Sequence, residues 1–292
     1  MWNQLKTALL LGTLTVLLIA LGGALGQGYL YGFTAFALLL NFVMYFFSDK
    51  LVLAMHRAQP LSERDAPWLH AMVAEIAQSA GLPKPRVYLV PQAQPNAFAT
   101  GRSPKHAIVA VTSGLLELLD GRELRGVLAH EIGHIKNRDM FVATVAAGIA
   151  GAITYLAHAL QWGAMFGGGA HDDDDGGRGN VFGALAMAFI APFAAMLIQL
   201  AISRSREHGA DATGAALTGD PEGLARALEK LHVGAERIPA NVEPATASLF
   251  IVNPLSGQGG LMSWFSTHPP PEERIRRLRQ MSPHGHRRLQ QA

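Results

Sequence analysis

Ala129-His130-Glu131-Ile132-Gly133-His134 is the stretch on which the reading of this chain turns. Asp120, followed three residues later by Glu123, is a capping-box pattern that opens a helix through Leu124, Val127 and Leu128 to about Asn137. His130 and His134 then lie four apart on one helical face, where both rings reach a single metal ion, and Glu131 points beside that ion. A hydrolytic zinc takes three protein ligands and keeps a position for a water, whose pKa it lowers; Glu131 is suited to take the proton. Ala129 and Ile132 flank the pentad with small or apolar side chains, and Gly133 permits a neighbouring backbone to approach.

Two ligands do not make a catalytic zinc site, so a third belongs on a separate element. The best candidate is Glu207 in Ser203-Arg-Ser-Arg-Glu-His-Gly-Ala-Asp211. Asp211 is four residues further on the same face and is placed to accept a hydrogen bond from the far nitrogen of a ligating histidine. The competing reading of this pair is a solvated helix whose carboxylates pair with its own arginines. His208 sits about 100° around the helix from Glu207 and is not counted as a ligand. The chain has no cysteine, so any zinc is held by histidine and carboxylate.

Working outward, the 292 residues are 49% hydrophobic and only 16% charged, with the apolar residues gathered in blocks. No charge falls between Lys6 and Asp49, and the run breaks at Gly26-Gln27-Gly28 into spans of about 7–25 and 29–47. Two further charge-free stretches, about 140–162 and 181–203, flank a Gly- and Asp-rich loop. A cleaved signal peptide is the alternative for the first run, which is longer than such a peptide's apolar core and is followed at once by a second span. His171–Asp175 resembles a metal binder at first sight and reads more simply as a solvated loop of repelling charges.

Lys6, Lys50, Arg57, Arg64, Lys136, Arg138, Arg204 and Arg206 all fall on one side of these spans, opposite Arg178 and its four aspartates. The positive-inside rule makes that side, and both termini, cytoplasmic. The expected architecture is an α-helical membrane protein with four transmembrane helices and a cytoplasmic α+β zincin-like catalytic domain whose third ligand is a glutamate. Its parts are a hairpin at 1–48, a first catalytic half at 49–139, a second hairpin at 140–203 and a second catalytic half at 204–292. The formal net charge of +2 carries no aromatic interleaving, which argues against nucleic acid as a partner.

Within the catalytic halves, Ser62 is read as the cap of a helix through Trp68, Leu69, Met72, Val73 and Ile76, ending at Gly81. Segments 86–90, 96–100 and 106–112 read as short strands. Asp220-Pro221 starts another helix, and a last one follows Pro269-Pro270-Pro271.

His130-Glu-Ile-Gly-His134, Ser203-Arg-x-x-Glu207-x-x-Ala-Asp211, Asn96-Ala-Phe-Ala-Thr-Gly101 and Thr267-His-Pro-Pro270 leading to Arg274-Ile275, in that order among four spans, resemble the HtpX family of bacterial membrane heat-shock zinc proteases. The likeness covers nearly the whole chain; the CaaX prenyl proteases are a more distant relative with more spans. It implies one zinc held by His130, His134 and Glu207, with Glu131 as catalytic base. It implies that Asn96, Ala97, Phe98 and Ala99 belong to an edge strand that pairs with an extended substrate backbone. It also implies that His268 and Arg274 stand near the metal and help hold the tetrahedral intermediate or the geometry of the site. Read without the resemblance, His268 is a helix cap, Arg274 one of a basic face with Arg276, Arg277 and Arg279, and Asn96 a turn residue. The family departs from this chain at His208, where an aromatic is common.

The function expected is that of an endopeptidase of the bacterial inner membrane, multi-pass, acting on misfolded or damaged membrane proteins and unfolded polypeptides. Its partners are those substrates, the lipid bilayer and other quality-control proteases of the same membrane. The alternatives are a CaaX-type prenyl-protein processing protease and a metal-binding scaffold or transporter without catalysis. Transport sites place ionisable residues within spans, and here only His158 is so placed.

Overall fold

The computed structural model describes residues 11–12, 15–16, 18–20, 23, 27–147, 149, 204–237, 249–251 and 269–281. The spans expected at 7–25, 140–162 and 181–203 lie wholly or largely outside these residues, as do the Gly/Asp-rich loop and His268.

Helix α1, Gln27–Met55, starts at the predicted Gly-Gln-Gly break. Its Leu30–Met55 part is long and apolar enough to cross a membrane, with a mean hydropathy of 1.8 and only 11% of that window buried. Among the described residues it is the one helix of this kind. Tyr31, Phe36, Leu38, Leu39 and Phe42 are exposed, an apolar surface of the kind that marks an interaction site. Asn41 donates to Thr15 Oγ1 at 2.6 Å, tying α1 to the preceding segment. The helix runs on past the predicted end at Phe47 to Met55, because Val52 and Leu53 are buried beside strand residues Val90, Phe98 and Ile108. Apolar patterning marks where the charge-free run stops, and that is not where the helix stops.

The catalytic part is a four-stranded sheet packed against helices. Its strands are β1 Gln59–Pro60, β2 Arg86–Val90, β3 Ala97–Thr100 and β4 Ile108–Thr112, in the order β1-β2-β4-β3. β2 and β4 are parallel, with Tyr88 opposite Ala110. β3 returns antiparallel on β4, with Ala99 opposite Val109, and forms the edge. All five residues of β4 are buried, as its β-branched composition favours.

Helix α2, Pro67–Ser79, begins later than the Ser62 cap predicts. Ser62 instead closes a turn with Asp65, and Pro67 occupies the first helical position, where its missing N–H costs nothing. Gly81, at φ +70°, ends it as expected: Gly81 N donates to Gln78 O and Leu82 N to Ala77 O, the paired bonds of a glycine C-terminus. Helix α3, Ser113–Leu118, is capped by the Thr112 side chain.

Helix α4, Gly121–Asn137, carries the pentad and shows both halves of the predicted capping box. It ends at Arg138 in the left-handed conformation, φ 58°, and helical residues resume at Met140. Helices α5, Arg204–Thr218, and α6, Pro221–Arg237, pack on α4, and α7, Pro271–Met281, packs on both. The core gathers Leu69, Val73 and Ile76 of α2 with Val127, Leu128 and Ile132 of α4 and Leu224 and Leu228 of α6.

Candidate active site

The site is made where α4 and α5 cross. A Cβ at Gly214 would stand 2.9 Å from His130 N, and one at Gly133 would stand 3.0 Å from Ala210 O, so glycine on each helix lets the two backbones meet. That proximity brings the Glu207 carboxylate to both histidines. Glu207 Oε2 is 3.7 Å from His130 Nε2 and Oε1 is 3.6 Å from His134 Nε2, while the two Nε2 atoms are 3.2 Å apart.

Each imidazole is oriented from behind. His130 Nδ1 lies 2.9 Å from Asp211 Oδ1, and His134 Nδ1 lies 3.1 Å from Asp139 Oδ1. With Nδ1–H donated to a carboxylate, each Nε2 turns a lone pair toward the other and toward Glu207. Lone pairs converging in this way repel unless a cation lies between them. The donor atoms all fall within 4.8 Å of one another. Two nitrogens held about 2.0–2.1 Å from a tetrahedral zinc stand about 3.3 Å apart, close to the separation found here. Two imidazoles and one carboxylate are the donor set of a catalytic, not a structural, zinc. The residues present fit the metal.

Charge gives the same result. Glu131, Asp139, Glu207 and Asp211 are all buried, against a single fully buried arginine among the described residues, Arg274. Burial pushes the Glu131 carboxyl up to about 8, with the Glu207 charge adding to it. Burial opposes a charge on His134, yet Asp139, Glu207 and Glu131 together carry it up to about 10. The cluster draws in a positive charge, and in the absence of a metal a proton supplies it. Asp211 behaves oppositely: burial would raise it, but Arg274 and His130 hold it well below the usual carboxylate range.

Glu131 Oε2 accepts a hydrogen bond from Ala99 N at 2.9 Å. The antiparallel alternation that turns Asn96 O toward Thr112 N turns the main-chain groups of Ala97 and Ala99 to the free side of β3. Phe98 and Ala99 line a cleft with His130, Glu131 and His134. The Asn96 side chain does not face open space: Oδ1 accepts from Ile251 N at 3.1 Å and Nδ2 donates to Leu249 O at 3.4 Å. It thereby holds Leu249–Ile251 along the cleft wall.

Arg274 is buried, unlike the exposed Arg276, Arg277 and Arg279 beside it, so it is no part of a solvated basic face. Its Nε and Nη2 donate to the two oxygens of Asp211 at 2.9 and 2.8 Å, and Nη1 donates to Ile251 O at 2.7 Å. Arg206 lines the cleft itself, half-buried, with Nη1 enclosed and without a hydrogen-bond acceptor. His208 lies 3.4 Å from Glu273, away from the ligand face.

Two of these residues escape sequence reasoning. Asp139 reads as the residue at which the third span opens; its role follows from the left-handed Arg138 before it, which turns the chain back toward His134. Arg206 reads as a topological charge, and only its adjacency to Glu207 hints at the cleft.

The fold and the cleft define a metalloprotease of the zincin type. The profile of Peptidase family M48 matches residues 63–282. The chain is 55% identical over 284 residues to the protease HtpX homolog of Syntrophobacter fumaroxidans, covering 96% of this chain and 100% of that one. It is 54% identical to the homolog of Persephonella marina, over 96% and 98% of the two chains, and 54% identical to that of Aquifex aeolicus, over 90% and 87%. It therefore belongs to peptidase family M48 and, within it, to the HtpX proteases. The crystal structure of S. mikatae Ste24p shares the fold, with a TM-score of 0.51 at 18% identity, over 91% of this chain and 62% of that one. The chain thus spans less than two thirds of that larger protein.

Proposed function

We propose that this protein is a zinc-dependent endopeptidase of the bacterial inner membrane that cleaves misfolded or damaged membrane proteins and unfolded polypeptides. The observation that carries the reading is the convergence of His130, His134 and Glu207 on one point beside Glu131, in a cleft bounded by a strand edge. In this reading the three residues hold one zinc, which supplies Lewis acidity toward the scissile carbonyl and the attacking water.

The chain's own residues do the rest. Glu131 takes the proton of the attacking water and returns it to the departing amine. The Ala97 main chain and the Ala99 carbonyl offer bonds to an extended substrate, a mode that tolerates many sequences and suits unfolded chains. Because Ala99 N–H bonds to Glu131, an approaching strand meets the base directly. Asp211 and Asp139 fix the ring orientation of the two histidines, and Arg274 holds Asp211. His268 is assigned to the same site through the family pattern.

Four spans, at about 7–25, 29–47, 140–162 and 181–203, divide a cytoplasmic catalytic unit into 49–139 and 204–292, with both termini cytoplasmic. The lysine and arginine bias around the spans supports this, as does the apolar exposed face of α1. Glu207 follows soon after the last span, so the cleft lies near the membrane surface, within reach of cytoplasmic loops of other membrane proteins and of other proteases there.

The test is purified full-length protein in detergent, wild type and Glu131→Gln, loaded with zinc and offered an unfolded soluble protein and a destabilised membrane protein. Glu131→Gln should keep its zinc and cleave neither; undiminished turnover in that variant sinks the assignment.

A further inference from the structure

A second cavity, of about 740 Å³, shares Met140 of its lining with the cleft and is otherwise built from other residues, where α1 and the helix resuming at Met140 meet the catalytic part. Pockets of about 300–1,000 Å³ are the usual size for small-molecule ligands. Its rim carries four cations from two separate elements: Arg102 and Lys105 from the turn between β3 and β4, and Lys136 and Arg138 from the end of α4. Among the described residues none of the four forms an ion pair, and no carboxylate lines the cavity. The lining also includes the apolar and aromatic side chains Leu11, Tyr45 and Phe141. Tyr45 and Phe141 meet edge to face with ring centroids 5.6 Å apart.

Lys136 and Arg138 also answer the negative end of the α4 dipole, and that alone would explain two charges on one helix end. It does not explain Arg102 and Lys105, which come from a different element and face the same space. Arg102 stacks over the Phe46 ring at 5.3 Å, which binds the rim to the aromatic end of α1. The apolar wall is continuous with the exposed face of α1 through Phe42 and Phe46.

From this pairing of a cationic rim with an apolar wall that opens onto the membrane helix, we propose that the cavity binds an anionic phospholipid, its phosphate among Arg102, Lys105, Lys136 and Arg138 and its acyl chains along Leu11, Tyr45 and Phe141. Basic pockets between membrane helices on the cytoplasmic side suit such headgroups. A free phosphate would use the rim and leave the wall empty. The lipid joins the β3–β4 turn, the end of the zinc-binding helix and the membrane helices, so its binding also braces the cleft. The inference rests on the membrane-spanning reading above.

The experiment uses full-length protein in nanodiscs of phosphatidylcholine with phosphatidylglycerol, released for native mass spectrometry. Wild type should carry phosphatidylglycerol out in preference to phosphatidylcholine. The pairs Arg102→Gln/Lys105→Gln and Lys136→Gln/Arg138→Asn should each lower that preference roughly 10- to 30-fold, since each surface cation near anionic lipid contributes about a factor of five. Asn is chosen at 138 because it tolerates the left-handed conformation there. The charge-matched pair Arg276→Gln/Arg277→Gln, on the exposed face of α7, should leave it unchanged. Equal retention of the two lipids by wild type overturns the inference, as does an equal loss in the α7 control. Full displacement of the lipid by glycerol phosphate also overturns it, since the site would then be one for soluble phosphate. Release of the protein from washed membranes without detergent overturns the membrane reading itself; a protein that stays in the membrane but shows no lipid preference overturns only this inference.

Discussion

Arg274 grips both carboxylate oxygens of Asp211, at 2.9 and 2.8 Å, and Asp211 in turn holds His130 Nδ1 at 2.9 Å. The chain of contacts runs from α7 through α5 to α4, so the last described helix sets the orientation of a residue on the pentad. Such bidentate pairing is available to arginine and not to lysine.

Asp211→Asn and Arg274→Lys should therefore weaken zinc binding by about 10–100-fold, the usual effect of losing a carboxylate behind a ligating histidine. Competition with a calibrated chelator measures it. Arg274→Ala leaves a buried carboxylate unpaired and should cost about 3–5 kcal/mol of stability as well, visible as a lowered melting temperature. Unchanged affinity in both conservative variants would remove Arg274 from the support of the site.

Asp139→Asn tests the other imidazole. His134 is more exposed than His130, its side chain 17% accessible against 1%, so water can replace part of what Asp139 does. Zinc affinity should fall, but by less than in Asp211→Asn, under the same chelator competition. A larger loss than in Asp211→Asn would mean that Asp139 does more than orient the ring.

Gly126 separates packing from chemistry. A Cβ there would meet Leu224 N at 2.6 Å, backbone that cannot swing aside, whereas nothing lies within 4 Å of a Cβ at Gly121. Gly126→Ala should destabilise by about 1–3 kcal/mol through overpacking. Gly121→Ala should be neutral or stabilising by up to about 1 kcal/mol. Thermal unfolding of the two variants side by side decides the matter.

Metal removal should expose a pH dependence with a definite sign. In the metal-free protein the protonated form of His134 is favoured, its pKa rising from the ordinary 6.5 to about 10. A raised folded-state pKa means stability that is fully present below 6.5 and lost as pH climbs through 10. Glu131, raised from 4.5 to about 8, acts in the same direction over its own range. Chelator-treated protein should thus melt progressively lower from about pH 4.5 to 10, through Glu131 first and His134 above 6.5, and Asp139→Asn should flatten the upper part of the curve. Zinc-loaded protein should lack this slope, because the metal stands where the proton would. A slope of opposite sign would show that the carboxylates do not govern His134.

Local rules made much of this protein legible before any fold was known. The capping box of Asp120 and Glu123, the spacing of His130 and His134 and the glycine stop at Gly81 all depend on residues within a turn or two of each other, and the charge-free run over the first part of α1 on one continuous segment. Even Glu207 and Asp211 could be singled out as a pair, because four-residue spacing on a helix is a local fact. Local rules also erred locally: Ser62 has the chemistry of a cap, but Pro67 offers a helix start that needs none.

What only the tertiary structure decided is which distant groups face one another. Only its place after Thr267-His-Pro-Pro270 sets Arg274 apart in sequence from Arg276, Arg277 and Arg279; of the four it alone is turned inward, because its helix face meets Asp211 and the carbonyl of Ile251. Asp139 became a partner of His134 because a left-handed residue reverses the chain there. Asn96, a turn residue or a substrate contact by its chemistry, is committed to Leu249 and Ile251. The cationic cavity exists because a strand turn and a helix end converge beside α1. Sequence alone determined the kinds of groups and their local faces. The distances that let those groups act together depend on helix crossings set by glycine contacts such as Gly133 on Ala210 and Gly214 on His130, which no local pattern encodes.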